Sequence, residues 1–462
     1  MKQICKYGLK NGFFSRIIAA CLCMILVLSP LFLSSCSDKK EDEESGPAQE
    51  NRSGAQLVKS DIKDGDFTFA LYSDGTATVT GYDGEGTEAE IPSRVEDCDV
   101  TTVGEGCFYY KENLEKITLP DTVRYFEKYA FYGATSLESM IVPRENTVIE
   151  EGTFVYCTAL TEISLPDTVT EIGEGAFYYC QSLETIDFPQ SLEKIGPYAF
   201  SSCTKLRSVS VPDSVREIGE YAFAVCSALE EITLPASLET LGAYALDECA
   251  ITEIDIPSGV MELGEGTFNS CTSLERASLP NGLLTIAKSA FYYCEALKEI
   301  EIPDTVTSIG EYAFCHCTSL ERANLPESAT DLGGYIFSDC QSLKETNLPK
   351  SLEKIPEYHF ASCMALEKMK IPSGVTEIGE YAFATCNSMT QVEIPSGVEY
   401  IGAYAFASMS GLKKIVIPES VTEFGEGILA YSDNVTVWCS SESTAYQYAS
   451  ANSIAINVIT ED

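Results

Sequence analysis

The chain has 462 residues, room for two or three ordinary domains or for one long repeat array. It carries 30 Lys plus Arg against 70 Asp plus Glu, a formal charge of −40. That balance excludes a nucleic-acid footprint and charge-driven docking on anionic lipid, and only two histidines, His316 and His359, are present to support zinc or imidazole chemistry.

In chain order, Lys2, Lys6, Lys10 and Arg16 precede an apolar run from Ile17 to Phe32, with no acidic residue before Asp38. A basic stretch followed by a short apolar one is the pattern of a secretory signal, and residues 1–35 are read as such. Its removal takes away four positive charges and leaves −44. The sequence Leu33-Ser34-Ser35-Cys36 resembles a bacterial lipobox, which implies lipidation at Cys36. The bland alternative is a plain signal peptide with an incidental cysteine. Acyl chains on Cys36 would be the only membrane attachment. Residues 36–60 are acidic, lack apolar periodicity and read as a flexible tether. The acidic stretch resembles the surface-export signal of some Gram-negative lipoproteins, and it reads equally as a spacer. Residues 61–94 read as an N-terminal cap, with Phe67–Tyr72 and Thr76–Tyr82 forming a hairpin around Ser73-Asp74-Gly75.

Residues 95–432 are one motif repeated. Prolines recur every 23 residues from Pro120 to Pro418, except for a gap of 22 between Pro235 and Pro257. Phenylalanines from Phe131 to Phe406 and cysteines from Cys157 to Cys386 keep the same beat, with Leu246 filling one phenylalanine slot. In a coil of one turn per repeat, equal phase means equal side, so each column stacks into a shared interior. One unit reads Leu160-Thr-Glu-Ile163-Ser-Leu165-Pro166-Asp-Thr-Val169-Thr-Glu-Ile172-Gly173-Glu-Gly-Ala176-Phe177-Tyr-Tyr-Cys180. This pattern resembles the BspA-like leucine-rich repeat. The resemblance implies a leucine-rich repeat solenoid, a right-handed α/β-type horseshoe with short parallel strands. Alternation at Ile163-Ser164-Leu165 predicts one short strand, and Val169 to Ile172 a second. The Ala-Phe-x-x-Cys segment is too short for a regular helix. Fourteen turns are expected from the proline count, with a local change of curvature at the 22-residue unit. Residues 433–462 read as a β-α-β-like cap: a strand at Val435–Trp438, a helix over Ser443–Ala451 and a strand over Ile454–Ile459. With both ends capped, a monomer is expected.

The cysteines share one inward phase, and Ala134 and Met409 stand in the same column without being able to bridge. Buried free thiols used for packing are therefore expected. Cys315-His316-Cys317 is the one local cluster resembling metal ligands, but its sulfurs fall in different phases. No metal site, cofactor or catalytic residue is assigned. A glycosidase-like carboxylate pair cannot be singled out among so many repeated acids.

Two surface stripes are candidates for binding. On the first strand these are Glu299, Glu301, Arg322, Asn324, Glu345, Asn347, Lys368 and Lys370, where charges of both signs collect. The alternative is an idle solvated sheet face. The second stripe is Tyr312, Tyr335, Tyr358, Tyr381 and Tyr404, two residues before each phenylalanine, in a slot elsewhere held by Gly175 and Gly266. Stacked tyrosines there could hold a sugar or a protein, or merely cover the core. The family resemblance implies adhesion or host contact. The expected function is a non-enzymatic, lipid-anchored protein of the bacterial envelope, at the outer membrane and cell surface, binding a protein. A carbohydrate-binding lipoprotein using the tyrosines is the alternative.

Overall fold

A computed structural model describes residues 54–459. The expected secretory signal, Cys36 and most of the tether lie outside them. The described chain opens with β1 (Leu57–Asp64), β2 (Phe67–Tyr72) and β3 (Thr76–Tyr82), paired antiparallel in that order. The β2–β3 hairpin has the expected limits. β1 starts inside the span read as tether: it has no apolar alternation, and all its residues but the half-buried Ile62 are exposed. Pairing with β2, from Asp64 opposite Phe67 to Leu57 opposite Tyr72, sets its place instead.

β4 (Glu88–Glu90) pairs in parallel with Lys116–Thr118 and is already a rung of the solenoid. The repeat therefore begins before residue 95. At the other end, Thr436–Cys439 pairs with Lys414–Val416, and Ala455–Val458 pairs with Thr436–Cys439. Both ends continue the ladder that they close. The coil has about 17 turns, three more than the prolines mark. At about 4.7–4.9 Å per rung the stack is roughly 75–80 Å long. Helix α1 (Thr444–Ala451), capped by the Ser443 hydroxyl, is the only helix among the described residues.

Each turn has three sides. The first strand, as in Glu162–Ser164, points its middle residue inward. The second, as in Glu171–Ile172, ends at Gly173, where a Cβ would stand 2.8 Å from the Ile149 carbonyl of the preceding turn. An arc of turns closes the loop. Along it, alternate N–H groups serve two ladders. Those of Tyr198, Phe200 and Ser202 donate to Glu220, Ala222 and Ala224 of the next turn. Those of Ala199, Ser201 and Cys203 donate three residues back. This arrangement satisfies every second donor locally and the rest along the stack, so no helix is needed.

The interior is a set of columns. Phe rings from Phe108 to Phe223, and again from Phe268 to Phe406, lie 5.1–5.9 Å apart and near parallel, broken only at Leu246. Each buried Phe contributes on the order of 1.5–3 kcal/mol, but only while neighbouring turns cover both of its faces. At the 22-residue unit both strand ladders break: Glu231–Thr233 does not pair with Glu253–Asp255, nor Thr240–Leu241 with Glu262–Leu263. The arc ladder runs on through Tyr244 to Glu265 and Leu246 to Thr267. The missing residue follows Cys249, between arc and strand, so the strands absorb it.

Candidate functional site

The two candidate stripes occupy different faces of the coil. On the strand face, Glu299, Glu301, Arg322 and Asn324 are exposed on paired strands, with Glu299 opposite Arg322 and Glu301 opposite Asn324. Arg276 reaches back to Glu253 and Asp255, each at 3.0 Å. Arg322 lies 3.7 Å from Glu345 of the next turn. The adjacent column, which the sequence reading did not single out, has opposite phase: Lys298 pairs with Glu275 at 2.5 Å and Lys344 with Glu321 at 2.8 Å. Across Glu275-Arg276, Lys298-Glu299, Glu321-Arg322, Lys344-Glu345 and Glu367-Lys368 the charges form a checkerboard. Every charge has an opposite neighbour along the chain and another across the turns.

The later half of this strip is not a strand. Glu345 makes one isolated bridge to Arg322, and Lys368 and Lys370 are exposed on an extended stretch outside any sheet. Thr346 occupies the inward slot that Ile163 holds elsewhere, and its buried hydroxyl has no partner. Asn347 turns back instead of outward. Its side-chain amide donates to the Leu325 carbonyl and accepts the Leu325 N–H, both at 2.9 Å. It thus takes over hydrogen bonds that a neighbouring strand's backbone would make.

The tyrosine face differs. Tyr312, Tyr335, Tyr358, Tyr381 and Tyr404 form one continuous stack, with ring centres 4.4–4.9 Å apart. Tyr198, Tyr221 and Tyr244 form a shorter one at 4.8–5.0 Å. Each of these residues has left-handed backbone, with φ between 52° and 61°. Where the slot is not tyrosine it is mostly glycine, as at Gly152, Gly175, Gly266 and Gly427, also left-handed. The arc requires this conformation, which costs an ordinary residue roughly 1–2 kcal/mol. The alternation of Tyr with Gly in one phase was the sequence signal for it. Tyr244 lies over Gly266, so a side chain there would strike the ring.

Within each stack the ring faces lie against one another. The rings are half-buried, and the Tyr312 and Tyr404 hydroxyls donate to Glu311 and Glu426. A sugar stacks on an open face, and the three inner rings of the five-ring stack, Tyr335, Tyr358 and Tyr381, have both faces covered by neighbours. Beside the rings runs a column missed in the sequence reading: Glu311, Glu357, Glu380 and Glu426, each at the position before the tyrosine slot. Tyr244 donates to Glu265 of the same column at 3.0 Å. Burial, with Glu311 beside it, pushes the Tyr312 phenol up to about 12.

A family model for the BspA type leucine rich repeat region matches residues 87–207, 193–321 and 307–436. The chain belongs to the BspA-type leucine-rich repeat family. A leucine-rich repeat protein from Bacteroides ovatus is similar in structure, with TM-score 0.69 and 27% identity over 87% of this chain and all of that one. A leucine rich cell surface protein from Faecalibacterium prausnitzii matches at TM-score 0.47 and 25% identity, covering 85% of this chain and 97% of that one. The pneumococcal vaccine antigen PcpA matches at TM-score 0.49 and 21% identity, covering 88% of this chain and 100% of that one. No curated protein matches.

In this BspA-type coil the cysteine column has a role beyond filling space. All cysteines among the described residues are free. Each column thiol from Cys157 to Cys386 donates to the carbonyl of the Phe, or Leu246, in the preceding turn at 3.0–3.3 Å. Ser432, in the same phase, donates to Phe406 at 2.8 Å. Its presence in the column was the available hint that the slot wants a small donor. Burial raises these thiols, Cys226 and Cys386 to about 12, and keeps them unreactive. Cys317 belongs to the column, while His316 stacks on Tyr293 with ring centres 4.3 Å apart.

Proposed function

We propose that this chain is a non-enzymatic, lipid-anchored protein of the bacterial cell surface whose solenoid binds a protein partner. The observation that carries the reading is the seventeen-turn stack, which presents a long regular surface on a single hydrophobic core. A cleft of about 220 Å³ beside Tyr82, Tyr110 and Lys111 is smaller than typical small-molecule pockets of roughly 300–1,000 Å³. Many shallow contacts along an array suit a macromolecule better than a metabolite. Among the described residues no helix is long and apolar enough to cross a membrane. Lipid on Cys36, with the acidic segment as tether, supplies the attachment in this reading.

Protease shaving of intact cells should remove the solenoid, and Cys36→Ala should release the protein from the membrane fraction. Pull-down with the purified protein should retain a host or bacterial protein in a salt-sensitive way. A chain that stays protected in intact cells, or a C36A variant that still sediments with membranes, overturns the anchoring. Retention of nothing overturns the binding.

A further inference from the structure

The five-ring block from Tyr312 to Tyr404 is the longer of the two tyrosine stacks in its slot, and the slot does not require tyrosine. Glycine fills the same left-handed slot at Gly152, Gly175, Gly266 and Gly427 without strain. A stacked aromatic pair returns about 0.5–1.5 kcal/mol, which only balances the roughly 1–2 kcal/mol of left-handed strain. Stacking by itself therefore gives the slot no reason to prefer tyrosine over glycine. What tyrosine adds is a straight strip of phenol edges, four spacings or roughly 19 Å long.

The strip is lined by one sign of charge. From residue 311 to 426 the column beside the rings reads Glu311, Gly334, Glu357, Glu380, Ala403 and Glu426, with no basic residue. Ion pairs elsewhere tie Lys298 to Glu275 and Lys344 to Glu321. None is formed by Glu311, Glu357, Glu380 or Glu426 among the described residues. The strand face answers its charges with cations; on this face the Tyr312 and Tyr404 hydroxyls donate to Glu311 and Glu426, and among the described residues no cation pairs with any of the four glutamates.

We propose that the Tyr312–Tyr404 strip docks an extended, arginine-bearing segment of a partner protein. The inference rests on the protein-binding reading above and gives it a place and a chemistry. An extended chain rises about 3.3–3.4 Å per residue, so some six residues span the strip and put about three side chains on the facing side. Arginine fits because its planar fork grips a carboxylate with two hydrogen bonds while its flat body lies along the tyrosine edges. A sugar is disfavoured because the inner ring faces are covered.

The test is fluorescence anisotropy of a short labelled peptide with arginine at alternate positions, titrated with the full-length protein at low and moderate salt. Two triple variants remove equal charge from different faces. Glu357→Gln, Glu380→Gln and Glu426→Gln should weaken binding about tenfold. Glu253→Gln, Glu299→Gln and Glu345→Gln should change it less than twofold. Circular dichroism and thermal melting confirm that both variants fold. Equal weakening by both triples means attraction to bulk negative charge and overturns the proposal, as does failure of the wild type to bind the peptide. The same variants enter the pull-down. A retained protein indifferent to the tyrosine-face triple overturns this inference and leaves the broader reading standing. Specific peptide binding without any retained protein sinks only the broader reading.

Discussion

The strand face and the tyrosine face are written by the same 23-residue period and treat charge in opposite ways. On the strand face, sign alternates from turn to turn, so Arg276 meets Glu253 and Lys344 meets Glu321. On the tyrosine face, from Glu311 to Glu426, the column holds glutamates with only Gly334 and Ala403 between them. The comparison teaches that the period decides which residues become neighbours, while the residue chosen for each slot decides whether those neighbours satisfy or repel one another.

His359 makes the stability of the coil depend on pH. This residue is wholly buried, neither ring nitrogen has a partner, and it stands in a slot that Ala382 and Ala405 hold in later turns. Burial pushes it down to about 3, with the Gly333 backbone opposing only weakly. An unfolded chain takes up the proton near pH 6.5 and the folded one resists until about pH 3. Stability is therefore present above pH 6.5 and is lost as pH falls through that window. Between pH 7 and pH 5 the unfolding free energy of the wild type should drop about 2 kcal/mol more than that of His359→Ala. Parallel pH profiles in urea unfolding would break this account.

The next effect separates strain from stacking on the tyrosine face. Tyr358→Ala keeps the left-handed backbone and loses two stacking contacts, so it should cost about 1–3 kcal/mol. Tyr358→Gly loses the same contacts and sheds the strain, so it should be the milder change by about 1 kcal/mol. A glycine variant less stable than the alanine variant would mean that the slot is not under strain.

Smaller effects test the checkerboard. Arg322→Glu places like charge beside Glu299, Glu321 and Glu345 and should lower stability by up to about 1 kcal/mol, less at high salt. Glu357→Gln on the other face should be neutral or slightly stabilising, within about 0.5 kcal/mol, because it removes repulsion. A loss of stability from Glu357→Gln would mean that its charge is answered after all.

Much of the architecture was legible in the residues because a solenoid converts sequence period directly into spatial stacking. Phe177 and Phe200 could be placed ring on ring from their spacing alone. The hairpin of β2 and β3 was readable from alternation and the helix near Ser443 from the helical character of its residues. β1 was not, since a strand of exposed residues carries no pattern of its own. Asn347 was misread as a surface group because its phase points outward, and phase says nothing about a side chain that folds back to bond Leu325. The thiol bonds to the phenylalanine carbonyls were missed because a donor and a space-filler occupy the same buried slot.

By itself the sequence determined the repeat length, the inward columns and the acidic, histidine-poor surface, because each follows from identity and phase. Only the tertiary structure decided which charges meet across turns, that the tyrosines stand on left-handed backbone with their rings stacked, and where the strand ladders break. Those depend on how adjacent turns touch, at contacts of a few ångströms that the spacing of residues along the chain does not encode.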